Sequence, residues 1–311
     1  MKLNMDYGKE LIMNWKKLGR IYEPENIYEG GVFTHGSNPF PVNIEEDIFR
    51  IFYNIRDEKN RSHLTYLDFD IEHKTIIKVA SKPILSPGIP GMFDDSGCSL
   101  GCVLDFEDKK YIYYLGWNLG VTVPWMNYIG LAIYNMSDDT CQKFSNVPIV
   151  ERNEIDYLSM SYPYVIEENG KFRMWYGSNI QWGEKKRDMN HVIKYAESED
   201  GIHWKRDGSI CIQGKDESEY AFSKPSVIFE NGIYKMWYSY RGEKYRIGYA
   251  ESVDGIRWTR KDNESGIGVS SEGWDSEMVD YPVVFKHKEA VYMLYCGNGY
   301  GKTGFGLAIL E

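Results

Sequence analysis

Residues Tyr162-Pro-Tyr-Val-Ile-Glu-Glu-Asn-Gly-Lys-Phe-Arg-Met-Trp-Tyr176 return 62 positions later as Lys224-Pro-Ser-Val-Ile-Phe-Glu-Asn-Gly-Ile-Tyr-Lys-Met-Trp-Tyr238. Each copy runs into a second shared stretch, Tyr195-Ala-Glu-Ser-Glu-Asp-Gly-Ile-His-Trp204 and Tyr249-Ala-Glu-Ser-Val-Asp-Gly-Ile-Arg-Trp258, here 54 positions apart. The difference is an insertion near Asn179 to Lys186 in the first copy. Within a copy, a short apolar run meets an Asn-Gly turn and an alternating strand follows, which is a hairpin signature. A third strand carrying Tyr-Ala-Glu-Ser, an Asp-Gly turn and a fourth strand opening on Trp complete the unit.

Weaker copies follow the same template from Val42, Val103 and Val284. In every copy the leading Val stands nine residues before an Ile or Met of the second strand. Anchors at Val42, Val103, Val165, Val227 and Val284 are spaced by 61, 62, 62 and 57 residues and account for the whole chain. A repeat of that period with four strands per unit and no helical pattern predicts an all-β fold: a five-bladed β-propeller in one domain, 1–311. The fifth unit ends on its third strand, Gly304-Phe-Gly-Leu-Ala-Ile-Leu-Glu311, while Trp15-Lys-Lys-Leu-Gly-Arg20 resembles a fourth-strand opening. Residues 12–20 are therefore expected to complete the last blade, closing the ring and removing its free edge.

The 311 residues include 25 Tyr, 13 Phe, 9 Trp and 30 Gly, with 36 Lys+Arg against 46 Asp+Glu. The net charge of -10 argues against a binder of nucleic-acid backbones, which needs a basic stripe. No apolar run is long enough for a membrane span or a signal segment, and the five cysteines have no paired-ligand spacing. Cys98 and Cys102 lack a nearby His or a second Cys pair. The expectations are a cytoplasmic protein with reduced thiols, no metal, no cofactor and no membrane insertion.

In a propeller the first strand of each blade starts on the face to which the second returns. Residues ahead of each anchor Val, and residues ending each second strand, thus converge on one mouth. Asp94, Asp95, Asp275, Glu277 and Asp280 supply its carboxylates; Asp95, Asp280 and Glu277 are the candidate acid–base groups, because paired carboxylates can hold different pKa values. Arg241 and Lys224 would clamp an anionic part of a ligand. Trp117, Asn118, Tyr162, Tyr281, Tyr300, His35 and Asn38 would stack on sugar faces or hydrogen-bond hydroxyls. Asp200 and Asp254, in the Asp-Gly turns, are read as structural, as are Trp175, Trp237, Trp204 and Trp258.

The Pro-x-Val strand openings and Ser-x-Asp-Gly-x-x-Trp turns resemble those of the glycoside hydrolase superfamily of families 32, 43, 68 and 130. Phe93-Asp-Asp-Ser-Gly97, Leu115-Gly-Trp-Asn-Leu-Gly-Val-Thr-Val-Pro-Trp125, Gly273-Trp-Asp-Ser-Glu277 and Gly297-Asn-Gly-Tyr-Gly-Lys-Thr-Gly-Phe-Gly306 resemble motifs of narrower groups. These are bacterial propeller proteins of capsule and lipopolysaccharide loci and the N-terminal propeller of plant glucosamine inositolphosphorylceramide transferases. The resemblance implies an enzyme of glycosidase or phosphorylase type acting on a sugar or activated sugar in surface-glycan metabolism. The alternative is a non-catalytic sugar-binding propeller assisting a glycan-biosynthesis enzyme. The family-43 design, with carboxylates on blades one, two and three, is matched only on blade two. Ser37-Asn-Pro-Phe-Pro41 and Ser159-Met-Ser-Tyr-Pro163 carry none.

Overall fold

The computed structural model describes residues 13–24, 31–106, 108–185 and 188–311. Residue 12 of the expected closing strand and Lys186 of the insertion lie outside them. Twenty strands pair into five antiparallel meanders among the described residues. The first holds β2 (Thr34–Glu45), β3 (Ile48–Arg56), β4 (Ser62–Asp70) and β5 (Thr75–Val79). The second holds β6 (Gly97–Phe106), β7 (Lys109–Leu119), β8 (Trp125–Asn135) and β9 (Thr140–Lys143). The third holds β10 (Ser159–Glu168), β11 (Lys171–Gln181), β12 (Asn190–Ser198) and β13 (Ile210–Ile212). The fourth holds β14 (Ala221–Glu230), β15 (Ile233–Arg241), β16 (Tyr245–Ser252) and β17 (Thr259–Arg260). In the fifth, β18 (Asp280–His287), β19 (Ala290–Cys296) and β20 (Phe305–Leu310) are joined by β1 (Trp15–Tyr22). β1 pairs antiparallel with β20, from Trp15 opposite Leu310 to Tyr22 opposite Phe305.

The anchor valines set the register. Val103, Val165, Val227 and Val284 lie opposite Ile112, Met174, Met236 and Met293. In the first hairpin an irregularity between Asn43 and Glu45 slips the pairing by one, so that Val42 faces Arg50 and Pro41 faces Ile51. The turns answer to their residues. Asn169 and Gly170 both take positive φ (54° and 77°), as do Asn231 and Gly232 (53° and 78°), a geometry that Asn-Gly tolerates cheaply.

Neighbouring meanders are tied at equivalent places. The residue before each of three anchors meets the backbone N–H of the next anchor: Val165 N–H donates to Cys102 Sγ (3.2 Å), Val227 N–H to the Tyr164 hydroxyl, and Val284 N–H to Ser226 Oγ (2.9 Å). First strands therefore touch in cyclic order, β2 to β6, β10, β14, β18 and back to β2. On the far side of each meander, Tyr113 donates to the Gly201 carbonyl (3.0 Å) and the Trp175 indole to the Gly255 carbonyl (2.8 Å). Those carbonyls belong to the Asp-Gly turns. Asp200 accepts the Ile202 and His203 N–H groups, and Asp254 those of Ile256 and Arg257. Trp175 and Trp237 are wholly buried between meanders.

The fourth strand of the third meander corrects the sequence reading. It begins at Ile210, not at Trp204; Lys205 makes only an isolated bridge to Glu197. Trp204 packs edge-on against Tyr113, 6.2 Å between ring centres, so its ring fills the seam between meanders instead of opening a strand. No helix among the described residues is long and apolar enough to cross a membrane.

Ser226 offers a direct test of the inner ties. It is completely buried, and replacing it with Ala strands the Val284 N–H without water. We expect Ser226→Ala to cost about 1–3 kcal/mol in urea unfolding. A variant as stable as the parent would show that the N–H finds another acceptor.

Candidate functional site

Every first strand departs from regular pairing a few residues before its anchor. The irregularities fall between Ser37 and Phe40, Leu100 and Cys102, Ser161 and Tyr164, Ser223 and Ser226, and Asp280 and Val283. In four of the five strands a non-glycine residue within the irregular segment is left-handed: Asn38 (φ 52°), Tyr162 (39°), Lys224 (51°) and Tyr281 (54°). Such a conformation costs roughly 1–2 kcal/mol per residue and persists only where the surroundings impose it. The bulge turns these four side chains away from the ladder alternation.

Just ahead of the bulge stand Ser37, Ser99, Ser161, Ser223 and Asp280, each paired with the second strand of its own meander. Four units place a serine there and the fifth an aspartate. Asp280 is completely buried, and neither carboxylate oxygen has a hydrogen-bond partner. Burial pushes its carboxyl well above the usual range and so favours the protonated form.

Tyrosines surround it. Tyr162, Tyr281, Tyr245 and Tyr300 are all held above the ordinary phenol range, first by burial, with the Asp280 charge contributing to each. Tyr162 and Tyr281, from opposed meanders, have ring centres 5.3 Å apart and hydroxyls 3.4 Å apart. Tyr245 packs edge-on to Tyr300 at 5.8 Å. Tyr300 belongs to α1 (Asn298–Gly301), a single turn in which Gly299 and Tyr300 are left-handed. The Asn298 side-chain oxygen accepts the N–H groups of Glu277 (2.8 Å) and Met278 (3.2 Å), locking this turn onto the loop before β18.

Arg241, the last residue of β15, donates to the Tyr300 hydroxyl at 2.7 Å. Its guanidinium lies over the faces of Tyr220 and Tyr245, 5.7 and 5.5 Å from their centres. Arg241, Lys244, Tyr245, Glu277, Met278, Gly299 and Tyr300 line a cavity of about 140 Å³. Tyr245 and Tyr300 line it and lie within electrostatic reach of Asp280, which is itself not among the lining residues. Glu277 sits on the rim, ion-paired to Lys244 at 3.1 Å.

Six expected residues thus gather: Asp280, Glu277, Arg241, Tyr162, Tyr281 and Tyr300. Asn38 is buried and donates to Asn54 (3.4 Å), and His35, next to Thr34 Oγ1 (2.8 Å), is held down to about 4 by burial and by the charges of Arg56 and Lys302.

The second meander's group is built differently. Asp95 accepts from Gly91 N–H (2.9 Å), Ser96 Oγ (2.9 Å) and Asn118 Nδ2 (2.8 Å). Burial alone would raise its carboxyl, but those three donors outweigh it and hold it below the usual range. Asp95 and Asn118 thereby close a turn of their own meander, and Trp117 packs over Gly97 so tightly that no Cβ would fit there. Asp94 is wholly buried, ion-paired to Lys143 (2.6 Å) and accepting from Tyr114 (3.0 Å). Asp275 repeats this design with Lys17 (2.6 Å) and Tyr295 (3.0 Å), so its carboxylate fastens β1 to the fifth meander.

Lys224 is buried and donates across the centre to the carbonyls of Leu100 (3.0 Å) and Gly101 (2.5 Å). That is an internal tie, not a group open to a ligand. Burial holds its ammonium down to about 7. Between that value and the unfolded lysine's, near 10.4, the unfolded chain binds a proton the native one lacks, so stability rises with pH. The contribution is lost as pH falls through about 7. Relative to the parent, Lys224→Met should therefore melt highest below pH 7 and lose that advantage steadily toward pH 10. A gap independent of pH would contradict the assignment.

Lys244 and Tyr245 were missed in the sequence. The convergence rule counted second-strand ends but not the starts of third strands, and the short Gly242-Glu-Lys loop leads from one to the other on the same face.

A relative from Mycobacterium tuberculosis H37Rv, the uncharacterized protein Rv1502, is 45% identical over 301 residues, covering 96% of this chain and all of its own length. The uncharacterized protein MT1551 of strain CDC 1551 matches to the same extent. The chain belongs to their family. No protein-family model matches it. Among solved structures, a glycosyl hydrolase from Bacteroides ovatus superimposes with a TM-score of 0.73 at 14% identity, covering 96% of this chain and 94% of that one. A family-130 structure, from mannoside phosphorylases and hydrolases that target beta-1,2 mannosidic linkages in Candida mannan, gives 0.72 at 15%, covering 98% and 94%. A thermostable family-43 glycoside hydrolase gives 0.65 at 17%, covering 91% and 89%. The fold is that of the propeller glycoside hydrolases.

Proposed function

We propose that the five meanders are the blades of one propeller, and that the chain is a carbohydrate-active enzyme of glycosidase or phosphorylase type. Its substrate would be a sugar or activated sugar of surface-glycan metabolism. The observation that carries this reading is Asp280: a fully buried, unpartnered carboxyl, its protonated form favoured by burial, at the one repeat position where the other units have serine. A neutral carboxylic acid held in an aromatic surround is poised to donate its proton to a leaving glycosidic oxygen. Tyr162, Tyr245, Tyr281 and Tyr300 offer faces for sugar C–H groups and hydroxyls for its oxygens. Glu277, on the rim, is the candidate to receive a proton from the attacking water or phosphate. Ligand entry requires Tyr300 to swing aside, and its turn lies between Gly297 and Gly304, in a segment with four glycines.

The test is turnover of a panel of oligosaccharides, aryl glycosides and nucleotide sugars, with and without inorganic phosphate. Product formation that disappears in Asp280→Asn supports the reading. No product from any member would leave the second reading, a sugar-binding propeller serving a glycan-building enzyme. One observation favours that alternative: Ser37 and Ser161 stand on the first and third meanders where the family-43 design places carboxylates.

A further inference from the structure

Among the described residues, several arginines meet a carboxylate, whereas three half-buried ones, Arg56, Arg241 and Arg246, have none; Arg56 donates to Asn60 (2.9 Å). Arg50, Arg173, Arg206 and Arg260 are buried or half-buried, and each meets a carboxylate: Asp68 (2.8 Å), Glu168 (3.1 Å), Asp156 (2.9 Å) and Glu219 (2.7 Å). Arg241 is half-buried too, yet no carboxylate of the described residues pairs with it. It donates instead to a neutral phenol, and its Nε is buried without a partner. Arg246, five residues on, spends its guanidinium on the carbonyls of Tyr245 (2.8 Å) and Glu277 (3.0 Å). Lys244 is tied only to Glu277 across an exposed pair, the kind of contact that a ligand displaces at little cost. In a chain of net charge -10, an arginine that lines a cavity and has no carboxylate partner calls for an explanation.

The nearest buried acid does not provide the missing charge. Asp280 is not among the residues that line the cavity, its two oxygens have no hydrogen-bond partner, and burial favours its uncharged form. The geometry is that of an oxyanion seat: a guanidinium fixed between two aromatic faces, its Nε free, a phenol beside it and an ammonium at the rim.

We propose that the sugar bound at this mouth carries an anionic substituent, phosphoryl or carboxylate, and that Arg241 holds it with Lys244 and the Tyr300 hydroxyl. This rests on the carbohydrate reading and narrows its substrate class to charged sugars.

Calorimetric titration with matched sets tests it. Glucose, galactose and mannose are each offered as the neutral methyl glycoside, the 6-phosphate and the uronate, alongside inorganic phosphate alone. In at least one set a charged member should bind at least ~10-fold tighter than its neutral counterpart, since charge-assisted hydrogen bonds are about twice as strong as neutral ones. Whether the phosphate or the uronate wins identifies the substituent. Arg241→Gln should erase the preference, bringing the charged member's affinity down to that of its neutral counterpart, and Arg241→Lys should restore part of it. Unaltered melting curves of both variants exclude misfolding; if Arg241→Gln melts early, the Arg241→Lys comparison and Lys244→Gln carry the test.

Neutral and charged sugars binding alike would sink this inference and leave the carbohydrate reading standing. Inorganic phosphate binding as tightly as the best sugar phosphate, with no dependence on the sugar, would sink the carbohydrate reading and, with it, the sugar substituent. So would silence from every ligand. Phosphate that supports cleavage of a neutral glycoside would show the anion to be a co-substrate, overturning the substituent assignment alone.

Discussion

Asp280→Asn should lower turnover by roughly 10²–10⁴-fold, the range contributed by a positioned proton donor. It should do so without unfolding the protein, because asparagine matches the carboxyl in size and burial already favours the native group's uncharged form. Stability gives a second, independent readout. An unfolded aspartate ionises near pH 3.9, whereas burial keeps the native Asp280 protonated far above that. Between the two values the native state holds a proton that the unfolded state has lost, so this group's contribution falls as pH rises through the window. Asparagine has no such dependence. The melting temperature of Asp280→Asn should therefore gain on the parent from about pH 4 upward, levelling off once the native carboxyl ionises. Parallel melting curves across pH 4–8 would show that Asp280 is not the protonated group described here, whatever the turnover result.

Asp156→Ala should be the most damaging change away from the mouth. Its carboxylate is buried and accepts from the Tyr176 hydroxyl (2.8 Å), Ser178 Oγ (2.7 Å), Lys194 Nζ (2.9 Å) and Arg206 (2.9 Å). Burial taken alone would raise this carboxyl, but its donors, Ser178 and Lys194 foremost, hold it below the usual range. Removing it leaves an ammonium and a guanidinium together in the interior with no counter-charge. Breaking a buried pair in this way costs about 3–5 kcal/mol, a large part of a typical domain's stability. Urea unfolding of the purified variant should show that loss, and insolubility on expression would agree with it. A variant within about 1 kcal/mol of the parent, roughly the scatter of surface substitutions, would mean that Lys194 and Arg206 reach solvent more easily than their burial indicates.

These two aspartates also show what the sequence could teach. Asp94, Asp156 and Asp275 each stand nine residues before an anchor valine. Each meets the tyrosine eleven residues after that anchor (Tyr114, Tyr176, Tyr295) and a cation contributed by a later strand or by β1. A recurring position describes the repeat, and recurrence was the available sign that Asp94 and Asp275 serve the architecture. Asp280 carries the opposite sign, departing from a serine found in the other four units. Strand order and register were legible because the Val-to-Met spacing and the Asn-Gly turns are local signals. The partners of Arg241 and Lys224 were not, since each depends on which side chains from other meanders arrive at the same height. Lys224 reads as a free cation until the carbonyls of Leu100 and Gly101 are seen to accept its hydrogen bonds. Trp204 misled for a related reason: after an Asp-Gly turn the tryptophan packs against an aromatic ring of the neighbouring meander, Trp204 on Tyr113 and Trp258 on Trp175, and the fourth strand begins only beyond it.

The pairing of β1 with β20 imposes an order on biosynthesis. Of the described strands, β1 leaves the ribosome first and β20, which pairs with it, leaves last. Four meanders can collapse locally while the chain is being made, but the fifth waits for both of these strands. During that interval β1 and the flank of the first meander expose unpaired amides, which is when nascent chains stick to one another. The same clasp makes the fifth meander the last to be completed, and the step at which a chaperone would help most.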